Sequence, residues 1–407
     1  MHIQTVNRSG SPATVFASFL HFDLCFTIWV ILGALGIYIA KDLALNNAEK
    51  GLMVAIPTLS GSIMRIIIGF LSDRYNSKHV GTAMLVFLLI PLLMGWLLPV
   101  NFPLIIVIAL MIGVAGASFA VALPLASRWY PPSKQGLVMG IAAAGNIGTV
   151  IANLLAPRLA AQLGWHAVMG IMLVPLLVVL FVFVFLAKES PDRPRSPSME
   201  GYLIALKRAD LWWFSLFYSI TFGGFVGLGT FLPIFFNVQY HINAITAGLL
   251  TAIVAFMGSS LRPLGGFLAD KFGGTRMLTV LFAVIGVFYL AISRLLPVSI
   301  TFWLFFVLVS CLGIGNGSVF QLVPQRFRKE IGVATGTVGA FGGLGGFFLP
   351  TLLGSIKQLT GSFAAGLLIL ALIALAALFV LRLLIAFRAG WRLSWTASSQ
   401  VEVEKSL

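Results

Sequence analysis

Apolar runs of about 20 residues or more recur along the whole chain, separated by short polar breaks. A helix rises 1.5 Å per residue, so a run of that length crosses the ~30 Å hydrocarbon core of a bilayer. The pattern predicts spans near 15–40, 50–72, 79–99, 104–128, 136–161 and 165–187. A second set is expected near 210–236, 244–271, 276–296, 299–324, 332–359 and 362–388. Between the sets lies a polar stretch holding Lys188, Asp192, Arg193, Arg195, Lys207 and Arg208. The expectation is an all-α polytopic membrane protein with about twelve transmembrane helices in two pseudo-symmetric six-helix halves. The N-terminal half covers 1–187, a cytoplasmic linker 188–209, and the C-terminal half 210–388. A polar, unstructured cytoplasmic tail is expected over 389–407. The first apolar run is about 25 residues, too long for a signal-peptide core, and reads as a retained span.

Composition agrees. The 407 residues are 59% hydrophobic and only 9% charged, against about 25% charged in a soluble domain. The net charge of +14 comes from 26 basic and 12 acidic residues. Such an excess suits nucleic acid, but here the basic residues fall in loops between apolar runs. The positive-inside rule explains that placement without a nucleic-acid partner. One set of loops holds Arg74, Lys78, Arg128, Lys134, Lys271, Arg276, Arg326, Arg328 and Lys329; the opposite set holds Lys41, Lys50, Arg294 and Lys357. Both termini are therefore expected in the cytoplasm, with the chain multi-pass in the plasma (inner) membrane.

Several chemistries are disfavoured. Cys25 and Cys311 both lie in apolar runs and imply neither a disulfide framework nor a metal site. Of five histidines, His2, His79, His166 and His241 fall in loops or at span ends, so no pair of haem ligands is evident. No Gly-x-x-x-x-Gly-Lys-Ser/Thr loop is present to bind ATP. No enzyme activity and no cofactor are expected.

What remains is charge inside the spans. The stretch 61–74 is Gly-Ser-Ile-Met-Arg-Ile-Ile-Ile-Gly-Phe-Leu-Ser-Asp-Arg, and 258–271 is Gly-Ser-Ser-Leu-Arg-Pro-Leu-Gly-Gly-Phe-Leu-Ala-Asp-Lys. Arg65 and Arg262 are 197 positions apart, as are Asp73 and Asp270. An arginine at mid-span costs about 2.5–3.5 kcal/mol on insertion scales and reads as functional by default. Arg65 lies about nine residues, or two and a half turns, inside its loop, deep for a side chain that snorkels to the interface. Neither arginine has an acidic residue at comparable depth in its own span. Gly145-Asn146-Ile147-Gly148 faces Gly342-Gly343-Leu344-Gly345 at the same offset, and Asn316 lies 197 positions after Phe119. Asn316 is a weaker candidate for polar lining. Two parallel six-helix repeats with a site at their interface form a transporter architecture.

The Gly69-to-Arg74 loop, repeated as Gly266 to Lys271, resembles the signature loop of the major facilitator superfamily. Within that superfamily the chain is similar to the nitrate/nitrite porters of the NarK/NasA type. The likeness rests on Arg65 and Arg262, on Ala144 to Gly148 with Gly339 to Pro350, and on Tyr218 to Phe222 with Phe119. It implies the major facilitator fold and secondary transport of nitrate, with nitrite as a further substrate. It implies a substrate site of Arg65, Arg262, Phe119, Asn146, Tyr218 and Phe222. Gly145, Gly148, Gly342, Gly343 and Gly345 belong to its nitrate signatures, and Asp73, Arg74, Asp270 and Lys271 to its gating loops. The chemistry fits. Nitrate is a planar monoanion, and a guanidinium presents a planar fork of donors to such a group. Aromatic walls shape a flat slot, and Asn146 either donates to the anion or bonds a neighbouring helix.

Arginine stays protonated, so the anion site itself carries no proton. His21 and Asp23 in the first span either titrate when desolvated or form an interfacial polar pair. Asp23 lies deeper and is the better coupling candidate. The first-span pattern Phe-Asp-x-x-Phe resembles the NasA-like branch and implies proton symport. Nitrate/nitrite antiport remains the alternative, with an anion channel or a nitrate receptor as readings of another class. The expected partners are nitrate, nitrite, protons and the lipid bilayer, with a monomeric chain.

Overall fold

The computed structural model describes residues 10–130, 138, 142, 144–190, 204–327 and 331–396. All regular structure among them is helical. Among the described residues, eleven helical spans are long and apolar enough to cross a membrane. They match the expected spans except the fifth, of which the described part is a 3₁₀ turn, Ala144–Ile147, and a helix, Gly148–Leu163. The linker residues Asp192, Arg193 and Arg195, and the loop residues Lys134, Arg328 and Lys329, lie outside the described residues.

Span ends carry caps where main-chain N–H groups would otherwise lack partners. Ser11 accepts from Thr14 N at the start of the first span, and Pro12 follows at the position where its missing N–H costs nothing. Asn46 and Glu49 form a reciprocal capping box at the start of the second, Asn47–Arg74. Asn101 and Asn243 cap the fourth and eighth.

Besides breaks at Leu35 in the first span and at Met172 in the sixth, two more spans change pitch. The fourth tightens to a 3₁₀ turn over Gly113–Ala117, between Phe102–Ile112 and Phe119–Ser127. The eighth breaks at Leu261, between Ala244–Ser260 and Arg262–Phe272. Pro263 explains the second break, because it removes an N–H and crowds the preceding turn.

The pseudo-symmetry is visible in burial. The first and seventh spans are 78% and 89% buried in their most apolar windows, whereas the sixth and twelfth are 28% each. Counterpart spans thus occupy counterpart places, central or lipid-facing. Along the seam between the halves, glycines allow backbone-to-backbone approach. Gly51 abuts Pro350 and Gly354, Gly33 abuts Thr230, and Gly248 abuts Asn153 and Pro157. Asn47 N donates to Gln358 Oε1 (3.0 Å) across the same seam. These contacts all lie toward the end where the second span begins. At the opposite end, Gly332 and Gly336 of the eleventh span face open space. The halves are therefore sealed at the Asn47 end and parted at the Arg74 end among the described residues.

One expectation needs correcting. The tail after 388 does not leave the body at once. Ala389–Leu393 forms a short helix, and Trp391 is 1% exposed. Its ring packs 5.0 Å from Phe214, and its Nε1 donates to Asp210 Oδ1 (2.9 Å). Arg326 and Arg388 both pair with Asp210 at 3.8 and 3.4 Å. Polar composition alone concealed a tryptophan anchor. Residues 397–407 lie outside the described residues.

Gly51→Ala places a methyl against the Pro350 carbonyl and is expected to destabilise the purified protein by about 1–3 kcal/mol. Gly336→Ala, with open space at its Cβ, is expected to be neutral or to stabilise by up to about 1 kcal/mol. Thermal unfolding in detergent followed by tryptophan fluorescence checks both; equal shifts for the two variants would contradict the seam.

Candidate functional site

Arg65 sits on an unbroken helical stretch and is only 4% exposed. Its Nε donates to Gly116 O (2.8 Å), at the 3₁₀ turn of the fourth span. Its Nη1 donates to Gly339 O (2.6 Å), which belongs to the opposite half. Two of its five N–H donors are thus held by main-chain carbonyls, and the charge has no carboxylate partner among the described residues. Two rings cover its faces, with Trp29 and Phe222 each 5.1 Å from Cζ. Trp29 is itself fixed, donating from Nε1 to Pro57 O (2.8 Å).

Arg262 is the first residue after the Pro263 break and is half-buried. Its Nη2 donates to Tyr218 Oη (3.2 Å). Its Cζ lies 5.9 Å from Phe222 and 5.7 Å from Phe320. Phe222 therefore serves both guanidiniums, one from each half. Tyr218, one helical turn earlier, stacks on it at 5.0 Å with planes 6° apart. The i, i+4 spacing of the seventh span builds this flat wall.

Between the arginines lies a narrow slot, closed so tightly in this conformation that it has essentially no room for a water molecule. Arg65, Arg262, Phe119, Asn146, Tyr218 and Phe222 all line it. So do three groups the sequence reading did not place there, Phe22, Phe26 and Gly339. Trp29 and Phe320 stand just behind. Among the described residues, no acidic one lines the slot. Asn316 is buried at 1% exposure but does not line it; Phe320, one turn on, packs behind the slot with its ring 5.7 Å from Arg262 Cζ. That corrects the expectation for Asn316.

Asn146 lies in the 3₁₀ turn Ala144–Ile147 at 2% exposure, and its Oδ1 has no partner. The signature glycines do not line the slot. They bring its helices together. Gly145 and Gly148 abut Asp23 and Thr27 of the first span. Gly342 meets the Tyr218 ring, Gly343 meets Ser62, and Gly345 meets the Ser219 carbonyl. A side chain at any of the last three would push the eleventh span away and withdraw the Gly339 carbonyl from Arg65.

His21 and Asp23 part company. His21 is fully buried inside the N-terminal half. Its Nε2 donates to Gly81 O (3.3 Å), and its ring lies 4.6 Å from Phe183. Asp23 packs on the turn that bears Asn146, with Oδ1 buried and unpartnered. At the parted end, Arg74 lies over Tyr75 (5.9 Å) and Lys271 over Phe272 (5.4 Å), while Asp270 accepts from Gln321 Nε2 (2.8 Å). The side chain of Asp73 lies outside the described residues.

Comparison with known proteins adds an independent line. The profile of the Major Facilitator Superfamily matches residues 17–350. The nitrite extrusion protein of Bacillus subtilis (strain 168) is 37% identical over 352 residues, covering 86% of this chain and 89% of that protein. The probable nitrate transporter NarT of Staphylococcus carnosus (strain TM300) is 34% identical over 377 residues, covering 92% and 96%. The probable nitrate/nitrite antiporter NarK1 of Thermus thermophilus is 31% identical over 388 residues, covering 87% of each. Among solved structures, a bacterial homologue of the human lysosomal transporter Spinster, in an inward-facing and unoccupied conformation, superposes with a TM-score of 0.70. It is 18% identical and covers 98% of each chain, a likeness of fold alone.

Phe222→Leu removes the one ring that faces both guanidiniums. The expected loss is about 1–3 kcal/mol of stability, the scale of a desolvated cation–π contact with part of its packing. Thermal unfolding measures it, with Phe181→Leu on the exposed face of the sixth span as a control expected to be near neutral.

Proposed function

The chain belongs to the Major Facilitator Superfamily, and we propose that it is a secondary active transporter of nitrate, with nitrite a second substrate. One observation carries the reading: two guanidiniums from opposite halves meet at one aromatic slot that no carboxylate lines. Such a slot repels cations and suits a flat monoanion. Each guanidinium offers paired N–H donors in a plane, and nitrate offers paired oxygens in a plane. Phe222, Tyr218 and Phe119 hold the plane and keep water from competing. Asn146 and the Tyr218 hydroxyl supply further donors. The names of the relatives support the substrate class.

Alternating access follows from where the contacts cross. Arg65 bonds the Gly339 carbonyl of the opposite half, so the clamp is also a tie between halves. Two like charges in a poorly solvated slot repel, and a bound anion bridges them. The occupied protein then rearranges more readily than the empty one. In the orientation set by the basic loops, both termini are cytoplasmic and the chain sits in the plasma membrane. The parted Arg74 end then faces the cytoplasm, and the Asn47 end is the outer seal. The Arg74, Lys271 and Asp270 loops form the cytoplasmic gate. The transporter works as a monomer.

We assign proton coupling to Asp23 in preference to His21. The Asp23 main chain packs on the turn that carries Asn146, and its buried carboxyl Oδ1 lacks a hydrogen-bond donor. A proton there removes a charge beside the anion site and alters the packing of that turn. His21 already has a main-chain partner and lies away from the slot. Proton symport is therefore the favoured mode. Antiport is the second reading, favoured by the net positive slot, which resists emptying.

Arg65→Lys and Arg262→Lys are each expected to cut nitrate transport by at least about 100-fold, since lysine keeps the charge and loses the fork. Flux into proteoliposomes measures this; near-normal nitrate affinity in both variants would remove the two-arginine clamp. An inward proton gradient is expected to drive nitrate uptake, and Asp23→Asn is expected to abolish that drive while sparing nitrate counterflow. Uptake that ignores pH and requires trapped nitrite would establish antiport instead. Ion flux far above transporter turnover would indicate a channel, and binding without flux a receptor.

A further inference from the structure

A second cavity of about 270 Å³ lies at the Asn47 end, on the seam between the halves. Lys41 and Lys50 enter it from the N-terminal half, and Ile234, Asn237 and Val238 from the C-terminal half. These two lysines are unexpected in an outer loop region otherwise poor in basic residues. Each has an acidic neighbour in sequence, and neither neighbour serves it. Glu49 accepts from Asn46 N (2.8 Å) in the capping box. Asp42 accepts from Trp165 Nε1 (3.0 Å) and lies 3.8 Å from His166 Nε2. Among the described residues, neither ammonium has an ion pair or a hydrogen bond. Lys50 is half-buried in the first turns of the second span, where the positive end of the helix disfavours a cation. The same positive end favours an anion. No carboxylate lines the cavity.

We propose that this cavity is an outer anion-collecting site, which takes a small inorganic monoanion on Lys41 and Lys50 at the mouth of the sealed seam. The proposal rests on the transport reading and on the orientation given above. Lysine suits a collecting station. Its ammonium is a compact, well-hydrated point charge with rotatable donors, so it holds an anion without the planar fit of a guanidinium. Two such charges above a seam raise the local anion concentration and the capture rate, an effect that salt screens. The cavity also straddles both halves. Opening the Asn47 end separates Lys41 and Lys50 from Asn237 and Val238, so the collected anion is released toward the arginine slot as the seal parts.

The test uses the full chain in right-side-out proteoliposomes. The double variant Lys41→Gln, Lys50→Gln is expected to raise KM for external nitrate about three- to tenfold at low ionic strength, with kcat unchanged. In about 0.5 M potassium gluconate, where the Debye length is near 4 Å, the difference from wild type is expected to vanish. Lys41→Arg, Lys50→Arg keeps the charge and is expected to keep the wild-type KM. A wild-type KM in the glutamine variant at low salt would overturn the proposal. So would equal impairment in the arginine variant, which would point to packing. A crystal structure in bromide decides the matter without transport: bromide between the two lysines supports the site, and an empty cavity removes it. If the wild type moves no nitrate yet holds bromide there, the transport reading fails and the cavity stands.

Discussion

The structure turns on two like charges held together where little water reaches them. Arg65 is almost wholly buried and Arg262 partly so, and no carboxylate lines the slot they share. An isolated buried charge costs several kcal/mol unless something replaces its hydration. Here two main-chain carbonyls and the Trp29 and Phe222 rings do this for Arg65. A tyrosine hydroxyl and the Phe222 and Phe320 rings do it for Arg262. Carbonyls and ring faces solvate a cation without neutralising it. The slot keeps its positive character, which a salt bridge would have cancelled.

That arrangement sets demands on the rest of the chain. The Gly116 carbonyl reaches Arg65 because the fourth span tightens to a 3₁₀ turn over Gly113–Ala117. The Gly339 carbonyl reaches it because Gly342, Gly343 and Gly345 let the eleventh span approach the second and seventh. Arg262 enters beside a helix break made by Pro263. Small residues and irregular turns therefore gather at the level of the charges, while the lipid-facing twelfth span is one unbroken apolar helix. In the fourth and eighth spans the departure from ideal helix solvates or positions an arginine.

Much of this was legible in the sequence, for definite reasons. Membrane spans announce themselves by length and composition, and the 197-residue repeat picked out Arg65 and Arg262 because charges inside spans are scarce. The six residues expected at the site do surround one slot, and the family membership implied by the Gly69–Arg74 loop is borne out by the comparisons. Less legible were groups with no chemical signature. Trp29, Phe22, Phe26 and Phe320 are aromatics among many, and only three-dimensional packing separates a wall from a lipid-facing ring. The carbonyls of Gly116 and Gly339 carry no side-chain label at all. Asn316 showed the limit of the repeat, since the halves differ in detail and the position equivalent to Phe119 does not line the slot. Trp391 showed the limit of composition, since one buried ring anchors a segment that reads as polar tail.

The most direct test of the account is a structure determined with nitrate bound. The account predicts one anion in the central slot, within hydrogen-bond distance of both the Arg65 and Arg262 guanidiniums and flat against Phe222. Nitrate found elsewhere, with these two arginines contacting only protein, would contradict it.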